Sequence, residues 1–297
     1  MSFHDRAETL LVRALLGFFG AMKPETASNL GGWVMGHVGP LLPTHQVALD
    51  NLRHAFPELS EQNRRRIARA SWQNLGRVLA ELVHLPRIVQ ITESGPGIEL
   101  FNGEVIERTH ANPAPAIFFS AHLANWEILL SQGNQMGGEI AGVFRAPQRQ
   151  GVTNLLVKMR HLAARRAFPL FPKGARGARD ALAYLRKGGK LGLLMDQKMN
   201  DGIAAPLFGH AAMTPSAGAA LALRFGCKLL PAHVERLGPA RFRIVVEKPL
   251  ALPDTGDRAA DVLALTTAMN ACLERWIRAR PAEWLWLHRR WPKDFYP

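Results

Sequence analysis

From Ala116 onwards the chain repeats one figure: a short apolar run, a polar corner, then an amphipathic segment. AIFFSA (116–121) precedes a helix opening at Asn125, and IAGVF (140–144) precedes one from about Val152 to Phe168. PLF (169–171) leads to a helix near Ala178 to Arg186, and LGLLM (191–195) to a loop and a helix around Pro215 to Phe225. Parallel strands must be joined by long crossovers, usually helical, so this rhythm predicts an α/β fold with a mainly parallel central sheet and flanking helices. KLLPAHVERL (228–237) and RFRIVVEKPL (241–250) read as a hairpin, an antiparallel addition to that sheet. Upstream, from Asp5 to His84, the pattern is helical throughout, and Ser60 with Asn63 caps a long fourth helix. A last helix spans roughly Ala259 to Arg280, is ended by Pro281, and is followed by EWLWLHRRWP. No linker or repeat divides these parts, so residues 1–297 are expected to form a single domain, with 1–85 as an N-terminal helical layer.

Charge narrows the partners. Thirty-seven Lys and Arg against 24 Asp and Glu give a net charge of +13, which favours an anionic membrane surface, nucleic acid or phosphorylated substrates. The cations are scattered over helices, as in Arg64 to Arg66, Arg165 and Arg166, without a nucleic-acid-binding module, so no nucleic acid partner is expected. The two cysteines, Cys227 and Cys272, have no metal-ligand spacing, and neither a metal nor another cofactor is expected. Thr9 to Met22 is apolar but interrupted by Arg13 and short of the roughly 20 residues that span a bilayer. With the basic surplus it reads as an interfacial anchor, a core helix being the alternative.

The chemistry concentrates in HLANWE, His122 to Glu127, at the first strand-to-helix corner. On one helix a five-residue spacing would turn the two side chains about 140° apart, so a His122–Glu127 dyad closes only if His122 precedes the helix. Asn125 is then the N-cap, and Glu127 falls in the first turn, where it would fold back to orient the imidazole of a general base. Ligands of such sheets gather where strands end. Arg145 follows the second core run and Asp196 and Gln197 the fourth, so these are expected to converge with His122, Asp196 and Gln197 in supporting or substrate-binding roles.

HLANWE, FRAP (144–147), DQKMNDGI (196–203), PLFG (206–209) and WLHRRW (286–291), in this order, resemble the lipid A biosynthesis acyltransferases, the lauroyl and myristoyl transferases within the lysophospholipid acyltransferase superfamily. The likeness runs over nearly the whole chain. It implies transfer of a fatty acyl group from an acyl carrier protein thioester to a hydroxyl of a lipid A precursor, at the cytoplasmic face of an anionic inner membrane. On that likeness His122 is the base and Glu127 its orienting carboxylate, with Arg145 a candidate oxyanion donor. Lys173, Arg176, Arg289 and Arg290 join Arg145 as candidates for acceptor phosphates and carboxylates. Two departures stand out: Lys173 replaces the Glu of the superfamily's phosphate-binding motif, and Gln148, Arg149 and Gln150 replace the Asn-Pro segment usual after the arginine. No covalent nucleophile is required, Ser120 lacking a nucleophile-elbow context. Acylation of another membrane lipid hydroxyl, thioester hydrolysis, or a non-catalytic basic membrane-surface protein are the competing readings.

Overall fold

The computed structural model describes residues 3–144 and 150–296. Its N-terminal layer comprises α1 (Phe3–Gly20), α2 (Pro24–Val38), α3 (Thr44–Ala55), α4 (Glu61–Glu81) and the short α5 (Leu85–Ile88). β1 (Gly97–Phe101), α6 (Glu104–Ala111), β2 (Ala116–Ser120), α7 (Glu127–Gln135), β3 (Ile140–Phe144), α8 (Gln150–Ala164), β4 (Leu170–Pro172), α9 (Ala175–Arg186) and β5 (Lys190–Leu194) follow in alternation. The chain continues through β6 (Ile203–Leu207), β7 (His210–Thr214), α10 (Ala217–Phe225), β8 (Lys228–Gly238), β9 (Arg241–Val246) and α11 (Arg258–Ala279).

Seven strands make one sheet in the order β1-β9-β8-β2-β5-β3-β4, parallel at every junction except the β8–β9 hairpin. The α/β fold, its mainly parallel sheet and its antiparallel addition are therefore as the alternation predicts. β2 lies at the centre and all its residues are buried, which is why AIFFS is apolar without alternation. Capping also follows the sequence: Ser60 Oγ accepts from Asn63 N (3.3 Å), and the Asp257 carboxylate accepts from Ala259 N (2.8 Å) and Ala260 N (3.2 Å) to open α11.

Three features differ from expectation. α8 ends at Ala164 rather than near Phe168, because Arg165 turns into left-handed backbone at φ 56°. β1 was not foreseen, its five residues running from buried to exposed without a clean alternation. Nor was the antiparallel β6–β7 pair, whose two-residue turn is Phe208-Gly209, both at positive φ (51° and 75°). Such turns favour Asn-Gly or Asp-Gly, and a phenylalanine in the first position hides the signal.

Helix α2 packs on α4 through small residues. A Cβ at Gly31 would overlap the Gly76 carbonyl oxygen, and one at Gly76 would overlap that of Gly31, so the two backbones touch. The opposite side of α2 exposes Trp33, Val34 and Val38, continued by Leu41 and Leu42. In α1, Thr9 is buried beside Gly151 while Leu10, Leu11, Leu15 and Phe18 face outwards. Among the described residues no helix is long and apolar enough to cross a membrane.

Gly76→Ala should therefore destabilise the fold by about 1–3 kcal/mol through overpacking. Gly17→Ala, on α1 with nothing within 4 Å of the added methyl, should leave stability unchanged or slightly raise it. Thermal denaturation of the two variants beside the wild type measures the contrast.

Candidate active site

The sheet register builds the site. Ser120, the last residue of β2, pairs with Leu194, the last residue of its parallel neighbour β5. His122 and Asp196 each lie two residues beyond these partners, so they leave the sheet side by side at the C-terminal ends of adjacent strands. The Asp196 Oδ1 accepts from His122 Nδ1 (2.8 Å), and Oδ2 accepts from the His122 backbone N–H (2.9 Å) and from Trp284 Nε1 (2.7 Å). Asp196 is fully buried, and the three bonds are what make that burial tolerable. An ionised carboxylate only accepts, so Nδ1 carries the proton of the neutral imidazole and the lone pair is then on Nε2.

Glu127 makes no hydrogen bond to the imidazole. Its oxygens accept from Arg160 Nε (2.7 Å) and Nη2 (2.8 Å), a bidentate pair bridging α7 to α8, and from Trp126 Nε1 (3.2 Å). Its links to His122 are charge and the Trp126 ring, which meets the imidazole edge-on at 5.0 Å. The expected His122–Glu127 contact is thus replaced by His122–Asp196. The reason lies in the loop: α7 begins only at Glu127, and Ala124 takes left-handed backbone at φ 48°, which sends the carboxylate towards α8. Asn125 sits one residue ahead of the N-cap Trp126, with its Oδ1 accepting from Glu127 N (3.2 Å).

These contacts set the charges. Burial disfavours an imidazolium at His122, but the Asp196 charge and hydrogen bond, with Glu127 adding to them, outweigh it and hold His122 above its ordinary pKa. Burial also works against both carboxylates. His122 nevertheless keeps Asp196 well below the usual range, and Arg160 keeps Glu127 below it. His288 is pulled down to about 4 by burial despite nearby Asp196, so it is neutral beside the pair, its ring edge-on to Trp284 at 5.8 Å.

The remaining candidates scatter. Arg290, expected on an anion-binding surface, is fully buried and donates to Met213 O (3.1 Å) and Thr214 Oγ1 (2.7 Å), tying the C-terminal segment to β7. Arg289 is exposed and lies over the Tyr296 ring at 5.4 Å. Lys173, just past edge strand β4, and Arg176, in the first turn of α9, are exposed, and β3 and β5 stand between β4 and β2. Gln197 is exposed next to Asp196, and Arg145 lies outside the described residues. Trp284, Trp286 and Trp291 are fully buried, so they pack the core. Among the described residues no group of three or more His, Cys, Asp or Glu could hold a metal ion. Arg160 and Trp284 are the site-forming groups that motif reading missed; for Trp284 the only signal was its place beside WLHRRW.

A histidine–aspartate pair at strand ends occurs in many enzymes, and the chain as a whole decides between them. The sequence model of the bacterial lipid A biosynthesis acyltransferases matches residues 9–293. The chain belongs to that family. Among curated proteins none matches. Membership makes the chain an acyltransferase of lipid A biosynthesis, and the match takes in both strand ends that carry the His122–Asp196 pair.

Two outcomes follow for this acyltransferase. Asp196→Asn removes the charge that raises His122, so the acid limb of the activity profile should move to lower pH while the maximal rate falls, as a pH series would record. For His288 the unfolded chain takes up a proton near pH 6.5, whereas the folded chain resists until about 4. The stability His288 contributes is therefore complete above pH 6.5 and is lost as pH falls towards 4. His288→Phe should flatten that part of the curve of thermal midpoint against pH.

Proposed function

We propose that this acyltransferase moves a fatty acyl group from an acyl carrier protein thioester directly to a hydroxyl of a lipid A precursor, with His122 as general base and Asp196 as its orienting carboxylate. The observation that carries this reading is the Asp196 Oδ1 contact to His122 Nδ1 at 2.8 Å, which leaves Nε2 to receive a proton. The acceptor hydroxyl gives its proton to Nε2 as its oxygen bonds to the thioester carbonyl carbon. The tetrahedral oxyanion collapses, the C–S bond breaks, and the imidazolium returns the proton to the leaving thiolate. Asp196 stabilises the imidazolium between these steps. General base catalysis of this kind contributes typically about 10²- to 10⁴-fold. Arg160 is committed to Glu127, and this pair forms a charged wall beside the base rather than a second proton acceptor.

A surface location at the cytoplasmic face of the inner membrane fits the outward apolar stripes of α1 and α2. Lying in the interface needs an apolar face without a spanning length, and basic residues then meet anionic headgroups. The net charge of +13 serves the acidic carrier protein equally, by drawing it in at long range. Exposed Lys158, Arg165 and Arg166, lining a groove of about 640 Å³ along α8, are part of that basic field.

The test is an assay of the purified protein with a lipid A precursor and a panel of acyl carrier protein thioesters. Acyl transfer should be found with the wild type and be lost in His122→Ala with the fold intact. Turnover of that variant near the wild-type level would sink the mechanism, and acylation of a different lipid in place of the precursor would sink the substrate.

A further inference from the structure

Glu81, the last residue of α4, is fully buried and takes no part in the proton transfer above. Its carboxylate gathers donors from separate parts of the chain. Ser28 Oγ of α2 donates to Oε1 (2.6 Å), Asn125 Nδ2 of HLANWE to Oε2 (2.9 Å), and Ala240 N, ahead of β9, to Oε1 (3.3 Å). Arg236 of β8 donates to both oxygens, at 2.5 and 3.0 Å. Asn74, earlier on α4, works beside it: its Nδ2 donates to Ala124 O (3.0 Å) and Glu283 O (3.1 Å), and its Oδ1 accepts from Arg236 Nε (2.9 Å).

An arginine alone would neutralise a buried carboxylate as part of the scaffold. Here the same carboxylate also reaches the loop that carries His122, at the point where the backbone is least able to hold itself. Ala124 is in left-handed backbone, a conformation an alanine does not keep unaided. Two side chains of α4 restrain residues 124 and 125 from this side, together with the Glu283 carbonyl, which accepts from Ala124 N (3.0 Å). On its other side the loop is fixed by Asp196 and by Leu285 N, which donates to His122 O (3.2 Å). The imidazole therefore stands between two anchored points, one on β5 and the C-terminal segment, the other on α4.

We propose that Glu81 is a positioning residue of the acyl-transfer site, setting the His122 imidazole against Asp196 through its hydrogen bond to Asn125. The Ser28 bond extends that setting to α2, the helix with the outward apolar stripe. The proposal rests on the reading of His122 as the base.

Glu81→Gln keeps the volume and removes the charge. Asn125→Ala removes the link to the loop and leaves the Glu81–Arg236 pair in place, so it carries the test if the first variant does not fold. Steady-state kinetics with acyl carrier protein thioester and lipid A precursor, on protein shown folded by its thermal midpoint, should give a kcat lower by about 100-fold with KM changed less than about threefold, as a displaced catalytic group does. The acid limb of the pH profile should shift as well, since His122 loses its register with Asp196. A folded Asn125→Ala variant with wild-type kcat, or one whose KM rises as kcat falls while the acid limb stays put, would overturn the positioning role. Activity surviving in His122→Ala would instead overturn the base assignment, which separates the two failures.

Discussion

The carboxylate of Asp196 is the point on which the site depends. A buried anion without partners costs several kcal/mol, so the fold around it must supply donors wherever it is placed. Here they come from the loop after β2 and from an indole beside the C-terminal segment. Meeting that requirement also brings the imidazole into line, fixes its tautomer and buries Trp284 beneath the strand ends. The stability of the core and the alignment of the imidazole are thus the same set of hydrogen bonds.

HLANWE is tied to three buried or nearly buried carboxylates, each matched by different partners. Asp196 is matched by an imidazole, Glu127 by the fork of Arg160, and Glu81 by the fork of Arg236 with neutral donors around it. Bidentate pairs fix orientation as well as charge. A loop of six residues tied into all three has little freedom, which suits the proposed base.

The sequence showed the periodic parts of this structure and the chemistry of single residues, but not which residues meet. The alternation from Ala116 to Phe225 predicted the sheet because crossover connections leave a mark in hydrophobic spacing. His122 and Asp196 were both visible as polar residues at strand ends. Their pairing was not, since it depends on the β2–β5 register, and nothing in either strand states which residue faces which. The choice of Glu127 as partner came from its place in the first helical turn and from the family resemblance; a left-handed Ala124 and the Arg160 fork from α8 turn its carboxylate away from the imidazole. Arg290 looked like surface charge because neighbouring arginines usually are; its burial depends on the Met213 carbonyl and the Thr214 hydroxyl of a β6–β7 hairpin whose Phe-Gly turn disguised it.

The donors around Asp196 lie far apart along the chain, 74 residues away at His122 and 88 at Trp284. Contacts of such separation form late, because the entropy of closing long loops is spent before they give anything back. The central pairings of the sheet carry the same cost, β2 lying 74 residues from β5 and 112 from β8, so His122 and Asp196 are brought together only as the sheet itself closes. A partly folded chain in which β2 and β5 have not yet paired therefore carries the histidine without the carboxylate that fixes its tautomer.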